Sequence, residues 1–200
     1  ATARAQYDKD RRARWLIHQA FRFFVWQMCA VGVIAVSIEG RSFLRQAGGK
    51  LVVANHPSLI DVVILISLIP KANCVVKQDL WSNPFMRGVV SATGYVSNSN
   101  STRLIGACRD TMQAGFALIV FPEGTRTKDR DNLKFQRGAA NIAVRCDADV
   151  IPVTIACDPP TLGKGTKWYD VPPRRAQFTI QAHPKIDVAT IINRSDEPAI

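Results

Sequence analysis

Paired cysteines, internal repeats, low-complexity segments and long unbroken apolar runs are all missing from this 200-residue chain. The five cysteines (Cys29, Cys74, Cys108, Cys146 and Cys157) are odd in number and widely spaced. With no C-x-x-C pair among them, the usual zinc and redox-dithiol patterns are excluded, and buried reduced thiols are predicted. Acidic residues are scarce, 16 against 26 lysines and arginines, which leaves a net charge of +10. That excess favours anionic partners: nucleic acid, a membrane surface, acidic proteins or phosphorylated ligands. Nucleic acid is disfavoured, because no finger, basic-zipper or RNP-like signature is present and aromatics are seldom interleaved with the basic residues. What is present, 47% apolar and 21% charged residues, is the composition of one folded domain with a full core.

Near the N-terminus Arg11, Arg14, His18 and Arg22 recur at steps of three and four, with Trp15, Phe21, Phe24, Val25 and Met28 filling much of the rest. This predicts a basic amphipathic helix. Gly32 interrupts the apolar region and Val36, Ser37, Ile38 and Glu39 alternate, so the helix is expected to end near Val31 and a strand to begin near Val33. The unbroken apolar part is then about half of the ~20 residues a bilayer requires. A helix lying in the membrane interface fits better than a spanning one, with packing on the core as the alternative. No small-residue cleavage pattern follows it, so no signal peptide is expected.

From Leu51 onward strands and helices alternate: strand 51–54, helix 58–69, strand 73–76, a short helix around 84–91, strand 94–97, helix 101–114, strand 117–121, helix 138–146, and strands near 150–156 and 176–182. The fold class predicted is a single α/β domain with a mixed, largely parallel sheet flanked by helices, behind the N-terminal helix. Segment 158–173 reads as a long surface loop, and NRSDEP at 193–198 as a frayed tail.

Two stretches carry chemistry. NHPSLID (55–61) follows the apolar run LVVA, and Pro57 fixes the chain just after His56 at a strand-to-helix junction. Asp61, about one turn into the helix, would fold back onto one imidazole nitrogen, fix the tautomer and leave the other nitrogen to accept a proton. Taken alone, the spacing better suits an ordinary capping or core pair; a metal site is disfavoured because His18 and His183 join no ligand cluster. No G-x-S-x-G elbow supplies a nucleophile, which points to a hydroxyl brought by the substrate. FPEGTRT (121–127) follows ALIV and should also emerge at a strand end, where open α/β folds place ligands. Its turn exposes backbone amides, and Arg126 offers a fork of donors suited to phosphate. Glu123 would accept hydrogen bonds from substrate hydroxyls. The alternative for this stretch is a solvated turn with a surface arginine.

In this order and spacing the two stretches resemble the lysophospholipid acyltransferase family, the glycerolipid acyltransferases marked by N-H-x-x-x-x-D and F-P-E-G-T-R. Weaker echoes run from about 36 to 157: Lys77 before Leu80, the Asn83, Pro84, Phe85 run, Gly94, and VIPV at 150–153. The resemblance implies transfer of an acyl chain from a thioester, on coenzyme A or acyl carrier protein, to a hydroxyl of a lysolipid acceptor. The leading acceptor is 1-acylglycerol 3-phosphate, giving phosphatidic acid. It further implies His56 as general base, Asp61 as its orienter, and Glu123, Gly124, Thr125 and Arg126 on the acceptor, Arg126 at its phosphate and Lys77 assisting. No metal and no bound cofactor is implied. Residues 1–32 then form a membrane-associating helix, and 33–200 the acyltransferase domain, held peripherally on an anionic membrane surface at the cytoplasmic face.

One departure stands out. Where the family's glycerol-phosphate users carry an arginine after Gly94, this chain has Asn100, which keeps another hydroxylated lipid open as acceptor. A thioester hydrolase using the same pair and a non-catalytic lipid-binding module are the competing readings. Arg11, Arg14 and Arg22 would meet an anionic leaflet. Lys134, Arg137, Arg174 and Arg175 would draw in acyl carrier protein or coenzyme A phosphates, unless they are ordinary solvated charges. Phe135, Ile142 and Val144 read as core.

Overall fold

A computed structural model describes residues 3–76, 96–97, 101–127, 133–167 and 169–195. Its strands are β1 (Ile34–Glu39), β2 (Leu51–Ala54), β3 (Ala72–Val76), β4 (Val96–Ser97), β5 (Ala117–Val120), β6 (Val150–Asp158) and β7 (Ala176–Ala182). Its helices are α1 (Ala3–Ala30), α2 (Arg41–Arg45), α3 (Asp61–Leu68), α4 (Ser101–Gln113), α5 (Gly138–Cys146) and α6 (Val188–Ser195). The strands form one sheet in the order β1-β7-β6-β2-β5-β3-β4. Every neighbouring pair is parallel except β6 with β7.

The short central strands LVVA and ALIV are apolar at every position because each is covered on both faces. Alternate residues go to opposite sides. Val52, Ala54, Ala117 and Ile119 join one cluster with Ile64 and Leu65 of α3, while Leu51, Leu118 and Val120 join Cys108, Met112, Ile142 and Val188 of α4, α5 and α6. The domain is therefore a three-layer sandwich with α1 and α3 on one face and α4, α5 and α6 on the other. At the β1 corner Gly40 has φ +67°, and a Cβ there would collide with the Ala182 carbonyl, so only glycine fits.

Helix α1 departs from the expected arrangement. Its basic residues do not share one solvent face: Arg14 lies over the Phe116 ring at 4.1 Å, and buried His18 donates Nδ1–H to the Ile66 carbonyl of α3 at 2.7 Å. Ile17, Phe21, Val25, Met28 and Cys29 pack on the core, because the sheet face beside α3 needs a second helix to cover it. The opposite side exposes Trp15, Leu16, Phe23, Phe24 and Trp26. Among the described residues no helix is long and apolar enough to cross a membrane.

Other differences are local. Helix α3 begins at Asp61 rather than 58, β6 runs to Asp158, and α2 is an unanticipated single turn. The C-terminal segment read as frayed is helical to Ser195, with the Asp187 carboxylate accepting the Thr190 amide at its start. All five cysteines are free; three are buried, and burial pushes the Cys74 and Cys108 thiols up to about 12. Ile142 is core, but Phe135 and Val144 are exposed. The expected helix at 84–91 and the first half of the expected strand 94–97 lie outside the described residues.

Candidate active site

The C-terminal ends of β2, β5 and β6 meet at one edge of the sheet. The chain leaves β2 there by a substitution of side chain for backbone. The Asn55 amide donates to the Ile155 carbonyl at 2.8 Å and accepts the Ile155 N–H at 2.7 Å, so the β2–β6 ladder is continued by a side chain while the main chain turns away. Asparagine alone among the small polar residues offers both a donor and an acceptor in this planar arrangement.

His56 is then held from several sides. Its N–H donates to Glu123 Oε1 at 2.9 Å, and its carbonyl accepts the Thr127 amide at 2.7 Å. Its ring stacks on Phe121 with centroids 4.2 Å apart, and Nδ1 donates to Asp61 Oδ2 at 2.9 Å. The imidazole remains partly open, with 16% of the side chain accessible, whereas Asp61 is fully buried. Asp61 Oδ2 also accepts the Ser58 amide at 2.7 Å, which closes the turn at 58–60 that leads into α3. Oδ1 and the Ser58 hydroxyl are buried without hydrogen-bond partners among the described residues. Burial pushes the Asp61 carboxyl above the usual carboxylate range, and the bonds from His56 and the Ser58 amide pull it partway back.

The second stretch closes onto the first. Residues 121–124 form a turn, Gly124 N–H to Phe121 carbonyl at 3.0 Å, with Gly124 at φ +65°, where a side chain is disfavoured. The residues expected at the acceptor divide into two groups. Glu123 Oε1 is committed to the His56 amide and the Thr127 hydroxyl, so through that oxygen it braces the histidine from behind. Thr125 and Arg126 face segment 159–167, which is more than a surface loop. Arg126 Nη1 donates to the carbonyls of Leu162 and Gly163 at 2.8 and 2.7 Å. The Leu162 carbonyl also accepts the Leu59 amide at 3.1 Å, and Lys164 Nζ donates to Thr125 Oγ1 at 3.0 Å.

Sequence reasoning missed this segment. The only local signal was TLGKGT, a short Gly-rich turn within a Pro-rich stretch. Arg175, counted among the available surface cations, instead donates to the carbonyls of Ile34 and Cys29 and ties down the α1–β1 turn. Lys77 and Asn100 lie outside the described residues. Beside the site a cavity of 250 Å³ runs between the α1–β1 turn and the loop, lined by Met28, Val33, Ile60, Leu162 and Val171. A larger one, 670 Å³, lies at the opposite end of the sheet among Lys50, Arg109, Arg145, Asp147 and Asp149. It is remote from the two motifs, whereas the smaller one is bordered by Ile60 of the first motif and by Leu162, whose carbonyl Arg126 contacts.

The geometry defines a class. A partly open imidazole is backed by a buried carboxylate, and the serine between them is fully buried and unable to attack. Such a pair is chemically able to take a proton from a hydroxyl brought to it. Comparison with known proteins then identifies the family: the chain belongs to the acyltransferase family, whose model, Acyltransferase, matches residues 35–156. The 1-acyl-sn-glycerol-3-phosphate acyltransferase of Helicobacter pylori is 31% identical over 115 residues, covering 54% of this chain and 48% of the relative. That of Cocos nucifera is 27% identical over 156 residues, covering 74% and 49%. The chain thus spans about half the length of the curated relatives it matches. The crystal structure of the 1-acyl-sn-glycerophosphate acyltransferase PlsC from Thermotoga maritima superposes with a TM-score of 0.64, covering 92% of this chain and 80% of that one. At 21% identity that likeness speaks for the fold.

Proposed function

We propose that this protein is an O-acyltransferase that moves an acyl chain from a thioester to the hydroxyl of a lysolipid, with 1-acylglycerol 3-phosphate as acceptor and phosphatidic acid as product. The observation that carries the reading is the His56–Asp61 pair. With Nδ1–H committed to the carboxylate, Nε2 is the free base. It removes the acceptor's hydroxyl proton as the oxygen attacks the thioester carbonyl, and Asp61 stabilises the imidazolium that forms. The tetrahedral oxyanion collapses, the C–S bond breaks, and the departing thiolate takes the proton back from His56. General-base assistance of this kind contributes about 10²–10⁴-fold. Arg126 is assigned to the acceptor phosphate, and the printed activity of the relatives supports that choice of acceptor. The donor is acyl-coenzyme A or acyl-acyl carrier protein, and exposed Lys134 and Arg137 beside the second motif suit either.

Membrane association is part of the same proposal. Trp15, Leu16, Phe23, Phe24 and Trp26 form an exposed apolar side of α1 bordered by exposed Arg11, Arg12 and Arg22. Aromatics entering the acyl boundary beside arginines at anionic head groups is the arrangement of an interfacial helix, and it fits the cytoplasmic face of the membrane. Trp15→Ser with Trp26→Ser should weaken cosedimentation with anionic vesicles by roughly tenfold or more, since each buried large apolar side chain contributes about 1.5–3 kcal/mol. Unchanged cosedimentation would end this part of the reading.

The decisive experiment offers a labelled acyl-thioester to a panel of lysolipids with wild type and His56→Ala in parallel. His56-dependent labelling of lysophosphatidate supports the proposal. Free fatty acid released equally with and without acceptor would identify a hydrolase, and membrane binding without either product would identify a binding module.

A further inference from the structure

The loop from Thr161 to Lys167 lies beyond the family match, which stops at residue 156, yet it is bonded to both motifs. One atom makes the junction: the Leu162 carbonyl accepts Leu59 N–H from the first motif and Arg126 Nη1 from the second. Leu162 adopts φ +51°, a conformation that leucine rarely takes, and Gly165 adopts φ +89°. Thr166 Oγ1 closes the turn on the Gly163 carbonyl at 3.0 Å. This tight turn has a definite result. Arg126 is pinned to residues 162 and 163, and the next residue, Lys164, reaches Thr125, the residue before Arg126. An ammonium, a hydroxyl and a guanidinium are thereby gathered at one place. Both N–H groups of Arg126 Nη1 are spent on loop carbonyls, while Nε and Nη2 have no partner among the described residues. The Lys164 ammonium, bonded to a neutral hydroxyl, keeps two of its three donors and, among the described residues, has no carboxylate neutralising it.

We propose that Lys164 is a specificity-determining residue, forming with Thr125 and Arg126 a cradle for the phosphate monoester of the acceptor. This rests on the acyltransferase reading above. A phosphate monoester carries nearly two negative charges at neutral pH and three acceptor oxygens, and one guanidinium already half committed to the protein does not match it. Two cations and a hydroxyl do. The loop selects the acceptor and leaves the chemistry to His56.

The test compares KM for a short-chain 1-acylglycerol 3-phosphate with KM for the corresponding monoacylglycerol, in wild type, Lys164→Ala and Lys164→Arg. Lys167→Ala is the control, a neighbouring loop lysine whose ammonium lies over Tyr169 instead. Lys164→Ala should raise KM for the phosphorylated acceptor about tenfold, the effect of one charge-assisted bond, and lower the preference for it over monoacylglycerol by the same factor. The loss should shrink as salt screens the contact, and Lys164→Arg should recover most of it. An unchanged KM, an equal loss with monoacylglycerol, or an equal loss in Lys167→Ala would overturn the proposal. Coenzyme A also carries a phosphate monoester, so the donor KM is measured alongside; a loss confined to the donor would overturn the assignment to the acceptor. Direct binding of the phosphorylated acceptor to His56→Ala, with and without Lys164→Ala, separates this proposal from the one it rests on. If wild type transfers nothing but this affinity still falls tenfold, the cradle stands and the transferase reading fails. If affinity is unchanged, the cradle fails.

Discussion

Two histidines in this protein make the same bond in opposite settings. His18, in the seam between α1 and α3, and His56, at the corner between β2 and α3, each donate Nδ1–H to an oxygen 2.7 to 2.9 Å away, so both hold the same tautomer. The His18 partner is a neutral backbone carbonyl and the imidazole is buried, so the ring acts as a fastener between helices. The His56 partner is a carboxylate and the ring is partly open, so a proton arriving at Nε2 is met by negative charge behind the ring. What each ring is placed to do follows from the charge of its partner and the access of its second nitrogen.

The comparison is broken most severely by removing the rings. His56→Ala should lower turnover by about 10²–10⁴-fold with little change in melting temperature, and added imidazole should restore part of it; a variant retaining full turnover would assign the chemistry elsewhere. Asp61→Asn makes the His56 partner as neutral as that of His18, and should cost turnover about 10²-fold or more. Its effect on stability runs the other way. The folded carboxyl is raised, so its protonated form stabilises the fold fully below the ordinary value of 3.8, and that contribution is lost as pH rises through the raised value. The neutral amide should therefore gain in melting temperature relative to wild type between acid and neutral pH. A gain for wild type instead would mean that the ionised bond to His56 outweighs burial.

A smaller effect is expected where the histidine backbone, rather than its ring, is released. Glu123→Ala leaves the His56 N–H without its acceptor and should reduce turnover about tenfold, while Glu123→Gln, which still accepts, should recover most of it. The mildest functional consequence belongs to His18→Ala. It orphans the Ile66 carbonyl and should cost about 1–3 kcal/mol, several degrees in melting temperature, with turnover retained.

The parts of the molecule legible in sequence are those governed by near neighbours. LVVA and ALIV announce covered central strands, and the spacing from His56 to Asp61 announces a possible pair, because five residues of chain suffice to bring them together. What stayed hidden depends on distant partners. His18 reads as one member of a basic stripe, since nothing local betrays a carbonyl 48 residues away. Arg126 reads as a free cation, since its partners lie 36 and 37 residues downstream in a segment with no periodicity. The outward apolar side of α1 was obscured for a related reason: its aromatics point both ways, and only the packing on α3 tells them apart.

The Asn55 bond to Ile155 also has an architectural consequence. Strand β2 stops at Ala54 beside Val153, while β6 continues to Asp158 on the support of β7. The sheet therefore has a step at the site, with an overhang of roughly 16 Å at the usual strand rise. His56 stands on the lower tread and the segment after β6 hangs from the upper one. Because the two levels are joined by a side-chain amide and a few bonds to Leu162 and Gly163, rather than by continuous ladder, the overhanging part can lengthen, shorten or change composition without shifting the histidine. On the proposed reading, variation in the acceptor is thus mechanically uncoupled from the proton transfer.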